Sequence, residues 1–329
     1  MIYFAPMISY SNPVWNGYCA DPFVLRHDNF YYAYGTGPRG DDGKQFVVLR
    51  SSDLINWEQL PNALEPVAGL EDKPHWAPEV AFADGKFWMY YSADEASDDL
   101  GHRLRVAVAD APEGPFRDVN RPLLDDAGFK GFSIDASPFR DPQSGKWYLY
   151  YARDFFDGRA GTGTAVIALN DDMTTIEGEP RVVVRAQSDW QIYQRDRFHY
   201  ERDWDKWHTV EGPFVVFKDG RYICFYAAGN WQNESYGVSY AVADHPLGPW
   251  TDFGERAHVL QGNAEVIGPG HCSVVLAPDD QTHFCCYHAW NAERTKRQLC
   301  VDPIQWTPEG PRVAPTRKGG AMPESGDAE

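Results

Sequence analysis

One hairpin recurs five times along this chain of 329 residues, and that repetition constrains the fold more than any other feature. Asp21-Pro22-Phe23-Val24-Leu25 passes through His27-Asp28-Asn29 into Phe30-Tyr31-Tyr32-Ala33-Tyr34. Trp76-Ala77-Pro78-Glu79-Val80 passes through Asp84-Gly85-Lys86 into Phe87-Trp88-Met89-Tyr90-Tyr91. The same sentence restarts at Asp135, at Glu211 and at Gly270-His271. Each hairpin is followed by a third β-rich run, such as Val238-Ser239-Tyr240-Ala241-Val242-Ala243, and by a shorter, weaker piece near the end of the unit. Alternation with β-branched and aromatic residues marks strands, and Gly, Asp and Asn mark the turns.

The anchors fall at 21, 78, 135, 211 and 271, a period of roughly 60 residues, which is the spacing of a four-stranded propeller blade. The expectation is an all-β, five-bladed β-propeller forming one domain over residues 1–317, with 318–329 as a disordered tail. The longest interval contains a polar and aromatic stretch at 188–207, which reads as a loop laid over one face just before Glu211. Its tryptophans, with Trp76 and Trp231, predict a crowded mouth.

Acidic residues outnumber basic ones 48 to 30, for a formal charge of −18, so neither nucleic acid nor an anionic membrane is expected as partner. Aromatic residues make up 15% of the chain and include 12 Trp, which suits both sheet packing and stacking on sugar rings. The six cysteines show no metal-binding spacing and read as reduced, apolar residues. The N-terminus lacks a basic region followed by an apolar run. A cytoplasmic protein is expected from the sequence as it stands, or a secreted one if a signal has been removed.

In a propeller the first strand of each blade lines the central axis, with one edge unpaired, so Pro just inside it is tolerated. The anchors therefore converge at one mouth of the channel: Asp21, Glu79 or its neighbour Trp76, Asp135, Glu211 and His271. Burial and like charges raise carboxyl pKa values, which keeps an acid protonated for general acid catalysis. Two carboxylates across a sugar-binding hole define glycoside hydrolysis.

Ala20-Asp21-Pro22, Trp76-Ala77-Pro78-Glu79-Val80, Ile134-Asp135, Glu211-Gly212-Pro213 and Gly268-Pro269-Gly270-His271, in this order and at blade spacing, resemble glycoside hydrolase family 43. The resemblance extends from Asp21 to about Arg312. It implies an inverting hydrolase of arabinose- and xylose-containing glycans, with Asp21 as general base, Glu211 as general acid and Asp135 as the residue that tunes and orients Glu211. It also implies that His271 faces either a central calcium coordinated mainly by waters or a water cluster, and that Trp76 borders the sugar. Trp231 and Arg297 are further expected sugar contacts, and no cofactor is required.

Arg140-Asp141-Pro142 is similar to an element of retaining fructan-cleaving propellers, but it falls in a turn rather than at the channel. The leading expectation is an exo-acting α-L-arabinofuranosidase on arabinan or arabinoxylan side chains. β-Xylosidase and endo-α-1,5-arabinanase are the alternatives within the class, and a non-catalytic carbohydrate-binding propeller is the alternative outside it.

Overall fold

The computed structural model describes residues 7–96, 100–124 and 131–324. Five antiparallel sheets follow one another along the chain as the blades of a β-propeller. Their innermost strands are Ala20–His27, His75–Ala83, Ser133–Arg140, Val210–Lys218 and Ile267–Leu276. Each is hydrogen-bonded on one side only, to the second strand of its own hairpin, and this leaves room for Pro22, Pro78, Pro138 and Pro213. Between blades, side chains of adjacent sheets interdigitate in apolar clusters. One of these joins Val24, Tyr31 and Leu49 of blade one to Phe284, Cys286 and Val301 of blade five. All six cysteines are free and buried.

The ring closes between the two ends of the chain. Met7–Tyr10 pairs antiparallel with Gly320–Pro323, and Met322 is fully buried. The expected disordered tail is thus corrected: once Met322 has an apolar seat and the backbone a partner strand, residues 320–323 are ordered. Residues 325–329 lie outside the described residues. Asp302, also buried, collects Tyr10, Asn12, Tyr287 and Thr316 at this seam.

The 188–207 stretch is also not a loop. Ile192–His199 and Arg202–His208 form a hairpin that joins the blade-three sheet at Gly161. Trp204 and Trp207 close a separate aromatic cluster with Ala160, Tyr193 and Tyr200. The polar appearance of the segment arises because one face of this hairpin stays in solvent.

Candidate active site

Every innermost strand carries a β-bulge at the same height, where two residues oppose one on the neighbouring strand. The first bulge residue is in the left-handed region in all five blades: Asp21 at φ 51°, Ala77 at 48°, Asp135 at 57°, Gly212 at 54° and His271 at 47°. This revises the expected equivalence of the anchors. Glu211 precedes its bulge and corresponds to Ala20, Trp76 and Ile134. The position that corresponds to Asp21 and Asp135 in blade four is Gly212. A non-Gly residue held left-handed costs ~1–3 kcal/mol, and four of the five blades accept that strain at the channel mouth.

Gly212 has its own reason. A Cβ there would lie 3.1 Å from the ring of His271. Its N–H donates to Asp135 Oδ2 at 2.9 Å.

The bulges and the residues before them surround a cavity of about 170 Å³, lined by Asp21, Trp76, Ile134, Asp135, Glu211, Trp231, His271 and Arg297. All seven site residues expected from sequence are brought together here. Glu79, the alternative to Trp76, lies one layer deeper in the channel, where its carboxyl meets Ser137. Trp190 does not reach the cavity, because its indole N–H is held by Gly254 O and its ring packs between blades three and four. The hairpin that follows it buttresses the wall: the amide of Asn230, next to Trp231, donates to Tyr193 O at 2.9 Å. Asp141 caps its own turn through Gln143 and Ser144, away from the channel.

The three carboxyls are buried, yet their environments differ. Burial pushes Asp21 upward, but Arg297, His271 and His288, with the Thr36 hydroxyl, outweigh it and hold Asp21 well below the usual carboxylate range. Arg297 Nη1 donates to Asp21 Oδ1 at 2.9 Å, and the guanidinium also lies 4.6 Å from the Trp231 ring centre. The Asp21 N–H donates to His288 Nδ1 at 3.0 Å, so that imidazole is an acceptor there. Burial also holds His271 and His288 below the usual histidine range.

Glu211 is raised to about 7 by burial, opposed by the Tyr236 hydroxyl and Arg297, with the Asp21 charge adding to the rise. Asp135 is raised well above the ordinary range by burial and by the charges of Glu211 and Asp21, against the Gly212 N–H. These surroundings favour the protonated form of Asp135 and Glu211 and the ionised form of Asp21.

Two residues that shape this site were not anticipated, Tyr236 and His288. Tyr236 donates to Glu211 Oε1 at 2.7 Å and stacks on His288 with ring centres 5.7 Å apart. The only sequence trace of the tyrosine is Gly270, whose missing side chain makes room for its ring.

Calcium prefers six to eight oxygen ligands. His271 offers nitrogen, and the nearest carboxylate oxygens, Asp21 Oδ1 at 3.5 Å and Asp135 Oδ2 at 4.0 Å, already accept from Arg297 and Gly212. Among the described residues no group of three or more His, Cys, Asp or Glu forms a metal-binding set. The protein side chains thus do not fit direct calcium coordination at His271.

The sequence profile of the glycosyl hydrolases family 43 matches residues 10–311, and the chain belongs to that family. Among its relatives is a β-D-galactofuranosidase of Aspergillus niger, 28% identical over 91% of this chain and 83% of that protein. An extracellular exo-α-(1→5)-L-arabinofuranosidase of Streptomyces avermitilis is 24% identical over 91% of this chain, which spans 59% of that protein. The crystal structure of a thermostable family-43 glycoside hydrolase superposes with a TM-score of 0.82 at 30% identity, covering 97% of this chain and 100% of the other. The fold and site thus define a glycoside hydrolase.

Proposed function

We propose that the protein is an inverting, exo-acting furanosidase that removes terminal α-L-arabinofuranosyl units from arabinan or arabinoxylan side chains. The observation that carries this reading is that two buried carboxyls with different partners line one small cavity, Asp21 held by Arg297 and Glu211 by the Tyr236 hydroxyl. Asp21, ionised, takes a proton from a water as that water forms its bond to the anomeric carbon. Glu211, protonated, gives its proton to the glycosidic oxygen as the bond from the anomeric carbon to that oxygen breaks. Asp135 touches neither transfer. By accepting the Gly212 N–H it fixes the backbone beside Glu211.

Exo action is supported by the small volume of the cavity, about 170 Å³, with Trp76, Ile134 and Trp231 in its lining. A furanose is supported by the two named relatives, one an arabinofuranosidase and the other a galactofuranosidase. β-D-Galactofuranose has the ring configuration of α-L-arabinofuranose with an added hydroxymethyl group on the exocyclic carbon. The relative at 28% identity therefore makes β-D-galactofuranosides the second reading.

Hydrolysis of p-nitrophenyl α-L-arabinofuranoside, β-D-galactofuranoside and β-D-xylopyranoside by wild type and Glu211→Ala tests the assignment. Arabinoside turnover by wild type is expected, and Glu211→Ala should lose turnover of arabino-oligosaccharides, whose leaving oxygen needs the proton, far more than of the nitrophenyl arabinoside. Dominant galactofuranoside turnover selects the second reading, and dominant xyloside turnover overturns the furanose preference. NMR of the first-formed anomer tests inversion.

A further inference from the structure

Titratable groups from several blades gather around the site of Glu211: Asp21 on blade one, Glu79 on blade two, Asp135 on blade three, and His271, His288 and Arg297 on blade five, of which Asp21 and Arg297 act on it as charges. Among the described residues, only one side chain donates a hydrogen bond to it. That is Tyr236, from the loop before Gly237–Ala243, at 2.7 Å to Oε1. The Tyr236 side chain has almost no freedom. The residue is 1% exposed, its ring lies parallel to His288 with an interplanar angle of 10°, and Gly270 is so close that a Cβ there would stand 2.2 Å from Tyr236 Cε1.

His288 in turn accepts the Asp21 backbone N–H. The Tyr236–His288 stack thus touches both carboxyls of the reaction, the base through its backbone and the acid through its side chain.

We infer that Tyr236 is a positioning residue for the general acid: its hydroxyl occupies Oε1, leaving Oε2 as the oxygen that carries and delivers the proton, and it stabilises the carboxylate left after delivery. This rests on the reading of Glu211 as the general acid. A hydrogen bond donated to a carboxylate lowers its proton affinity, so Tyr236 opposes the burial that raises Glu211. Removing the hydroxyl has two consequences. The carboxyl gains rotational freedom, which lowers kcat, and its proton is held more tightly, which moves the basic limb of the pH profile upward.

The test is Tyr236→Phe, measured as kcat and KM from pH 4 to 10 on the preferred furanoside with a poor, alkyl or sugar leaving group, whose departure needs the acid. The expected result is a kcat lower by about tenfold, little change in KM, and a basic limb raised by roughly one pH unit, the equivalent of one hydrogen bond to a charged group. Gly270→Ala should displace the ring and raise the limb in the same direction with the hydroxyl still present. An unmoved basic limb in folded Tyr236→Phe overturns the proposal whatever happens to kcat, because a merely structural role would not shift it.

Glu211→Ala tests the underlying reading separately, on substrates with poor and with activated leaving groups. If the variant is slowed only on the poor ones, Glu211 is the acid, and failure of the Tyr236 test then falls on Tyr236 alone. Equal slowing on both kinds rejects the acid assignment itself.

Discussion

Blade one and blade two place a carboxylic acid in the same channel, and the two acids end in opposite states. Asp21 and Glu79 are each 8% exposed and lie on innermost strands, two residues apart in register. Asp21 is kept ionised because Arg297, His271 and His288 face it. Among the described residues Glu79 has the Ser137 hydroxyl alone, with no partner for its Oε2, and burial raises it to about 8. Burial is therefore common to both acids, and the partners decide the charge. A buried carboxyl with a guanidinium is a base, and one without is a neutral polar group.

The largest break in this contrast is Asp21→Asn, which removes the proposed base while keeping the shape of the side chain. Its kcat should fall by about 10³- to 10⁴-fold with the fold intact, read by steady-state kinetics beside circular dichroism.

Arg297→Met converts the surroundings of Asp21 toward those of Glu79. In wild type the depressed pKa of Asp21 stabilises the fold above the unfolded carboxylate range and loses that contribution as pH falls through the folded value. Without the guanidinium, the acid limb of kcat/KM should move upward. The fold should lose about 3 kcal/mol near neutrality, read by denaturant melts, because a buried charge is left with weaker partners. An unmoved acid limb would assign that limb to another group.

Glu79→Gln sharpens the comparison from the other side. The raised pKa of Glu79 means that its favourable contribution is full below the unfolded value near 4.5 and fades as pH rises toward about 8. Glutamine does not titrate. The stability of the variant relative to wild type should therefore rise between pH 5 and pH 8, by about 1 kcal/mol per pH unit, read from melts across that range. A flat difference would mean that Glu79 is ionised and paired in the folded protein.

Ser137→Ala is the smallest perturbation. It removes the one hydroxyl that favours ionised Glu79, so the loss of stability should begin at the same pH and continue to slightly higher pH than in wild type, by less than about 1 kcal/mol in all, read from the same melts.

The seam at Asp302 repeats the lesson away from the site. Burial raises this acid as it does Glu79, and Tyr287, Thr316 and Tyr10 act against it. Its partners come from both chain ends, so a polar cluster far from the reaction holds the ring shut.

Asp21, Asp135 and Glu211 were legible because each acid opens an apolar strand, where sheet packing does not ask for charge. Trp76, Trp231, Arg297 and His271 also meet at the cavity as expected. Tyr236 and His288 were hidden for the opposite reason: an aromatic or a histidine in or beside an apolar strand is what ordinary packing supplies. The 192–208 hairpin was misread because its outward face is polar, and the 320–323 strand because its partner, Met7–Tyr10, lies at the other end of the chain.

Sequence alone determined the blade count and the height at which the acids sit, since strand alternation and turn residues are local properties repeated at a fixed period. Only the tertiary structure decided which of two adjacent residues is the bulge in each blade, placing Asp21, Asp135 and His271 on it and Glu211 one residue before it. It also decided which acids carry a proton. The physical reason is that register and pKa are set by what other blades bring close: a bulge changes which side chains face the axis without altering the apolar pattern, and a carboxyl responds to the cations and donors around it.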